Sequence, residues 1–400
     1  METLIPRAPD SALVPEVHDV PRRLAVQPSD RSTAAGKRCR PASNSNVIAM
    51  KIAICTTGGD APGLNAVIRG TTETAIRHGF EVVGLERGFA GLMEGGPRPL
   101  TRNDVQGIES IGGTLLGGAS RGLLQDADSR ASQFARIRER LEAERIDGLV
   151  IAGGDGSIKI AEELVREGGP KCVVVPKTID RDVEGTWTTF GFDSATNVAT
   201  QALDRLQTTA RSHDRIMVLE VMGRDVGWIA LYTGIAGGAH MIAIPEIPYD
   251  LNVYADHVRQ REALGDRFHL MVASEGAQQR EGDTVVSRRT GRYGGVGEQL
   301  AEALETATGK EARSVSLGHV VRGGAPTTFD RMLGLRFGAT AANALQRGEG
   351  GEGGVMVALR PPATVTVPLA EVSGRIKHVP THAHEIMTAR ALGICFGAPD

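Results

Sequence analysis

From Lys51 onward the chain alternates short, almost wholly apolar runs with longer stretches whose apolar positions recur at helical spacing. Lys51–Ile54, Glu81–Leu85, Gly148–Ala152, Cys172–Val175, Ile216–Val221, Met241–Ile244, Leu270–Ala273, Val315–Leu317 and Val355–Leu359 read as strands. Leu64–His78, closed by Gly79, reads as a helix, as do Ala131–Glu144, Ile158–Glu167, Ser194–Thr208 and Phe329–Gln346. Strands without a polar face, separated by helices, belong in parallel sheets covered on both sides. The pattern therefore predicts an α/β fold. Ligands of such sheets bind beyond the carboxyl ends of the strands, so the loops there are where chemistry is sought.

Residues 1–49 break the pattern: Pro, Ser, Ala and Arg dominate, and no apolar period is sustained. A disordered, dispensable extension is expected there, and Met50, just before the first strand, is a plausible alternative start. The segment lacks the apolar core of a secretory signal, and Glu2, Asp10, Glu16, Asp19 and Asp30 argue against an organellar transit peptide. With 41% hydrophobic and 23% charged residues, 400 positions suffice for two or more cores. No window approaches the ~18 uninterrupted apolar residues of a membrane span, so no membrane partner is expected. Lys and Arg number 45 against 48 Asp and Glu, and aromatics are 4%, which leaves neither a basic surplus nor stacking platforms for nucleic acid. Four cysteines without a CxxC pair make a disulfide scaffold or structural zinc poor readings; Cys55 and Cys172 are expected to be buried, reduced thiols of a cytoplasmic protein.

Three strand-end loops carry candidate chemistry. Gly58-Gly59-Asp60-Ala61-Pro62-Gly63 leads from the first strand into a helix, where glycines let the backbone approach an anion and the helix N-terminus offers free N–H groups. It matches neither GxGxxG nor GxxxxGK(S/T), and a purely structural turn remains open. Gly153-Gly154-Asp155-Gly156-Ser157 repeats the arrangement with an acid inside it. A carboxylate facing an anion is repulsive, so its sensible partner is a bridging divalent cation, Mg²⁺, unless it only caps the helix. Pro176-Lys177-Thr178-Ile179-Asp180-Arg181-Asp182 holds two carboxylates that extended backbone would direct to one side, with Ile179 and Arg181 on the other. One acid suits a hydroxyl proton and the other a metal, the division of labour met in phosphoryl transfer. Arg121, Arg215, Arg224, Arg313, His319 and Arg322 recur near strand ends and can clamp phosphates, and Glu275 is a further acid at a strand end.

GGDAPGLNA, GGDGS, PKTIDRD, EVMGRDVG and LGHVVRGG, in this order, resemble the 6-phosphofructokinase family over about Met50–Gly397. The resemblance implies two Rossmann-like parallel-sheet domains with the active site in the cleft between them: 50–191 plus 322–370 for the phosphoryl donor, and 192–321 plus 371–400 for fructose 6-phosphate. It implies transfer of a phosphoryl group from ATP to O1 of fructose 6-phosphate with Mg²⁺. Carried over by position, Asp180 is the base, Asp155 and Asp182 hold metal, Thr178 lies near the transferring group, and Arg224 supports transition-state charge. Gly59, Arg121, Gly154, Asp155, Gly156 and Ser157 match the donor site, and Met222, Gly223, Glu275, His319 and Arg322 the sugar-phosphate site. Arg215 and Arg313 match arginines that reach the sugar phosphate across a subunit interface, which implies a homotetramer or homodimer with shared active sites.

Departures from the family pattern qualify this reading. Arg181 stands where Asn is usual, and a cation leaning toward Asp180 would weaken it as a base. Gly156 leaves room for a nucleotide, while Lys177 is typical of pyrophosphate users; steric room favours ATP, with pyrophosphate the alternative. Arg69, Arg102 and Arg267 match a basic effector site, but Glu73, Gln207, Asp266 and Phe268 replace its other basic or His positions, so effector control is expected to be altered or lost. Gln278–Gly295 reads as an inserted surface loop. An NAD or lipid kinase would share the GGDG loop but leaves Pro176–Asp182 unexplained, and an inactive sugar-phosphate-binding paralogue has Arg181 as its sole support.

Overall fold

Nearly every apolar run becomes a strand buried on both faces, and those strands build two sheets. The computed structural model describes residues 50–118, 130–280 and 293–398. The expected disordered extension, Arg121 and most of the expected 278–295 insertion lie outside the described residues.

In chain order the first half comprises β1 (Lys51–Thr56), α1 (Leu64–Arg77), β2 (Glu81–Leu85), α2 (Phe89–Glu94), β3 (Arg98–Pro99), α3 (Arg130–Ala143), β4 (Gly148–Gly153), α4 (Asp155–Arg166), β5 (Lys171–Pro176) and α5 (Phe192–His213). There follow β6 (Ile216–Val221), α6 (Trp228–Ala236), β7 (Met241–Ala243), α7 (Leu251–Ala263), β8 (His269–Ser274), α8 (Val296–Thr308), β9 (Ala312–Ser316), α9 (Thr328–Gln346), β10 (Val355–Arg360), β11 (Ala363–Pro368), α10 (Leu369–Val372) and α11 (His384–Ala391).

The first sheet runs β11-β10-β5-β4-β1-β2-β3 and the second β7-β8-β6-β9. Ile52 of β1 lies opposite Val82 on one side and Gly148 on the other, all three strands parallel. The sheets are parallel-dominated, as expected, with β3 and β11 joining the first sheet's edges antiparallel. Edge strands need only one covered face, so β11 is mostly half-exposed and carried no continuous apolar run to read. β9 spans Ala312–Ser316 rather than Val315–Leu317; at the sheet's edge it buries only Ala312 and leaves the rest half-exposed or exposed, so it carries no continuous apolar run.

Alternation along β1 sends Ile52 and Ile54 into one apolar layer with Leu64, Val67 and Phe337, and Ala53 and Cys55 into another with Phe134, Ile137 and Leu164. In the second sheet Met217 and Leu219 join the first of these layers through Trp228 and Ile229, while Ile216 and Val218 pack on Tyr254 and Leu300. One continuous core thus touches both sheets and holds them together. Within it α1 and α9 pack so closely that a Cβ on Gly70 would stand 2.5 Å from the Leu335 carbonyl oxygen. Cys55 and Cys172 are buried, as expected, and form no disulfide among the described residues; burial pushes both thiols up, Cys172 to about 12. No helix among the described residues is long and apolar enough to cross a membrane.

Candidate active site

Parallel strands point their carboxyl ends the same way, so the loops after β1, β4 and β5 emerge side by side. The Lys177 ammonium, from the β5 loop, donates to the Gly59 carbonyl in the β1 loop, and the Lys177 N–H donates to the Gly153 carbonyl at 2.9 Å. Ser157 on the first turn of α4 shares a hydrogen bond of 2.6 Å with Thr57. Gly153 is obligatory here, because a Cβ would stand 2.0 Å from the Ser157 Oγ. At Gly156 the opposite holds: among the described residues a Cβ would meet nothing within 4 Å, so on their side this position is open. Asp155 is not the helix cap; Gly154 is, and Asp155 already belongs to α4, three residues before the expected start. Its Oδ2 lies 2.7 Å from the Lys159 Nζ, and its Oδ1 accepts the Gly374 N–H at 3.1 Å.

Across from these loops stand the strand ends of the second sheet. Arg322, in the 3-10 turn Gly318–Arg322 that follows β9, donates from Nη1 to the Asp60 carbonyl at 2.9 Å. That guanidinium crowds Gly59, where a Cβ would stand 3.1 Å from Nη1. Glu275, at the end of β8, accepts the Arg224 N–H at 3.2 Å, which ties the loop after β6 to the loop after β8. Burial raises the Glu275 carboxyl, against the pull of the Arg224 and Gly223 amides. Met222 is buried, whereas Arg224 and His319 are exposed.

Asp180 sits where the two sets of loops meet. It is 4% exposed, its N–H donates to the Thr178 Oγ1 at 3.0 Å, and its buried Oδ1 has no hydrogen-bond partner among the described residues. Burial, reinforced by the Asp182 charge, raises its carboxyl to about 7; Arg322 and Arg224 pull the other way. Burial and the neighbouring Arg322 lower Lys177 to about 8, and Asp60, Asp180 and Asp182 partly restore it. A buried carboxyl raised and a buried amine lowered where strand-end loops meet make this the candidate site.

Arg215 and Arg313 do not join this group. Arg215 precedes β6 and Arg313 lies near the start of β9, at the ends of those strands opposite to Met222 and Glu275. Both hold Glu311, Arg215 through Nε at 2.6 Å and Arg313 through Nη2 at 2.5 Å. Two of the three expected effector arginines are likewise engaged: Arg69 pairs with Glu73 at 3.2 Å and Glu109 at 2.5 Å, and Arg267 with Asp214, while Arg102 is exposed.

The family model described as Phosphofructokinase matches residues 51–345. The chain belongs to the phosphofructokinase family. An ATP-dependent 6-phosphofructokinase of Chloroflexus aggregans is 48% identical over 352 residues, 87% of this chain and 98% of that protein. A pyrophosphate–fructose 6-phosphate 1-phosphotransferase of Streptomyces coelicolor is 42% identical over 355 residues, 87% of this chain and 100% of that protein. Among solved structures, phosphofructokinase of Pichia pastoris in the T-state is similar with a TM-score of 0.74 and 31% identity. That likeness covers 83% of this chain but spans only 36% of the longer yeast chain.

Arg181 does point away from the carboxylates, yet not through extended alternation: its backbone is left-handed, φ 58°, as is that of Arg224 at φ 50°. Non-glycine residues in this region are strained and concentrate at functional sites. The aromatic surroundings of Arg181, and the Gly374 and Lys159 partners of Asp155, come from distant or helical neighbours that no loop motif signals.

The raised Asp180 carboxyl has a consequence for stability. An unfolded Asp titrates at about 3.9, so between there and about 7 the folded chain holds a proton that the unfolded chain releases. Stability therefore falls as pH rises through this window, and the deficit is complete above about 7. Asp180→Asn is expected to melt with wild type near pH 4 and progressively above it as pH increases, levelling off past neutrality; equal melting temperatures at pH 8 would contradict the burial of an ionised Asp180.

Proposed function

We propose that the chain is an ATP-dependent 6-phosphofructokinase, converting fructose 6-phosphate and MgATP into fructose 1,6-bisphosphate and MgADP. The observation that carries this reading is the buried Asp180 oxygen, unpartnered among the described residues, with its pKa raised to about 7, at the junction of two loop sets lined with Lys177, Arg224 and Arg322. A base must be ionised to accept a proton yet basic enough to want one, and a value near the working pH serves both needs. In the proposed step Asp180 takes the proton of the sugar O1 hydroxyl as that oxygen bonds to the γ-phosphorus, and the bridging bond to ADP breaks. Arg224 lies against the charge that develops, and Thr178 fixes the Asp180 backbone. Gly59, Gly154, Gly156 and Ser157 form the donor cradle; Met222, Gly223, Glu275, His319 and Arg322 bind the sugar phosphate.

Asp155 and Asp182 would hold the divalent cation, Mg²⁺, which when bound neutralises phosphoryl charge. Their hard oxygens fit such an ion. The contact of Asp155 with Lys159 joins half-exposed side chains, 39% and 50% exposed, so water screens it and a cation can displace it at little cost. Among the described residues no three His, Cys, Asp or Glu side chains form a metal cage, in keeping with an ion that shares its shell with phosphates and water.

Pyrophosphate is the second reading. Lys177 reaches the Gly58–Gly59 turn directly, and the Streptomyces coelicolor relative bears the pyrophosphate name. The open side of Gly156 supports ATP instead, because the nucleotide extends where a pyrophosphate would end. Side-by-side assays with both donors are expected to give fructose 1,6-bisphosphate with ATP alone, and Gly156→Asp to depress ATP use selectively. Product with pyrophosphate alone would reverse the donor assignment, and silence with both would leave only a sugar-phosphate-binding role. Asp180→Ser is expected to lose ~10²-fold or more in turnover with sugar-phosphate binding nearly intact. Below about 7 the wild-type kcat/KM is expected to fall with pH as Asp180 protonates; a flat profile through that region would count against the base.

The domain division at 50–191 plus 322–370 and 192–321 plus 371–400 follows the two sheets in this reading. Arg215 and Arg313 lie a strand length from their own site, ~17–20 Å for six residues, so they serve the sugar phosphate of another copy. Arg313→Ala and Asp180→Ser chains, each inactive alone, are expected to regain activity when refolded together, since hybrids pair an intact base with an intact arginine. Failure of mixed oligomers to recover activity would confine each site to one chain.

A further inference from the structure

Arg181, between the two carboxylates, is 4% exposed, and its guanidinium is enclosed by rings. Its central carbon lies 4.5 Å from the centroid of Trp228, 5.1 Å from Tyr232, 5.4 Å from Phe192 and 5.5 Å from Trp187. Nε donates to the Trp187 carbonyl at 3.1 Å and Nη1 to the Tyr232 hydroxyl at 2.5 Å. That hydroxyl donates onward to Glu385 of α11 at 2.8 Å, and the Glu385 carboxylate lies 3.9 Å from Nη1. Ring faces attract a guanidinium, and its planar fork fixes direction as a flexible ammonium would not.

The enclosure joins the two halves of the site. Trp187 and Phe192 follow the β5 loop, whereas Trp228 and Tyr232 belong to α6, the helix entered directly from the Met222–Arg224 loop. Lys377 braces the same junction: its N–H donates to the Asp182 carbonyl at 2.9 Å, its Nζ to the Thr186 carbonyl at 2.7 Å, and its carbonyl accepts the Trp228 Nε1 at 2.8 Å. Left-handed backbone at Arg181 turns this side chain into the cage while Asp180 stays in the cleft.

We propose that Arg181 is a positioning residue for the transfer reaction: clamped among Trp187, Phe192, Trp228 and Tyr232, it fixes Asp180 of the first sheet against the Arg224 loop of the second. The proposal rests on Asp180 being the base. Its polar contacts run to Trp187, Tyr232 and Glu385, so it acts by geometry. The chain holds 2 tryptophans, and both line this cage, so intrinsic tryptophan emission reads it without interference.

The test compares Arg181→Met, Arg181→Lys and Tyr232→Phe in the full chain, with Asp180→Ser as control. A base displaced by about 1 Å loses on the order of 10²-fold, so Arg181→Met is expected to lower kcat by that factor while both KM values stay within about 3-fold. The acid limb of its kcat/KM profile is expected to hold its position, since the base is moved and not retitrated. Arg181→Lys recovers part of kcat, Tyr232→Phe lowers it less than Arg181→Met, and all three shift tryptophan emission. Unchanged kcat per folded site in Arg181→Met overturns the proposal, as does an acid limb that moves enough to account for the loss. Should Arg181→Met not fold, unchanged kcat in Tyr232→Phe overturns it. Full turnover in Asp180→Ser would instead sink the base assignment, an outcome distinct from either.

Discussion

The cleft is organised around one constraint: the Asp180 carboxylate is buried at the meeting of two sheets, its Oδ1 without a hydrogen-bond partner among the described residues. Desolvation works against its charge, and the nearby Asp182 adds repulsion. Left alone, such a group would stay protonated. The surrounding cations meet that constraint without neutralising it: Arg322 and Arg224 pull the pKa down, yet each spends its nearest bonds elsewhere, Arg322 on the Asp60 carbonyl and the Arg224 amide on Glu275. The result is a carboxyl poised near neutrality.

Holding that balance requires that loops from different sheets keep their spacing. The shared apolar core provides coarse placement by joining the α1 and α9 layer of the first sheet to the α5 and α6 layer of the second. Finer placement comes from polar ties across the junction, among them Trp228 to the Lys377 carbonyl and the Ser194 N–H to the buried Asp330 at 2.8 Å. Asp330, whose carboxyl burial raises to about 6, anchors the start of α5 to the start of α9. Directional hydrogen bonds specify geometry in a way that apolar area cannot.

Much of this was legible from residues alone. Central parallel strands announce themselves as continuous apolar runs, so β1, β4, β5, β6 and β8 were placed to within two residues at either end. Less visible were elements that bury little or bury everything. β11 is mostly half-exposed and α7 buries only Tyr254, Ala255 and Val258, while α6 is apolar on nearly every face and shows no helical period. Loop motifs located Asp180, Lys177 and Glu275 because strand ends converge in this architecture. They gave no hint of the cage around Arg181, assembled from residues up to Glu385, nor of Lys159 and Gly374 beside Asp155. Spacing along a chain reports neighbours on one element, and long-range partners leave no such trace.

The central claim is that Asp180 titrates near neutrality inside the folded cleft, and it can be read directly. Carboxyl titration by infrared difference spectroscopy, comparing wild type with Asp180→Asn, isolates the band lost on substitution. That band is expected to change from protonated to ionised around pH 7. A band already fully ionised at pH 5 would contradict it, and with it the proposal that burial suits this carboxylate to act as a base.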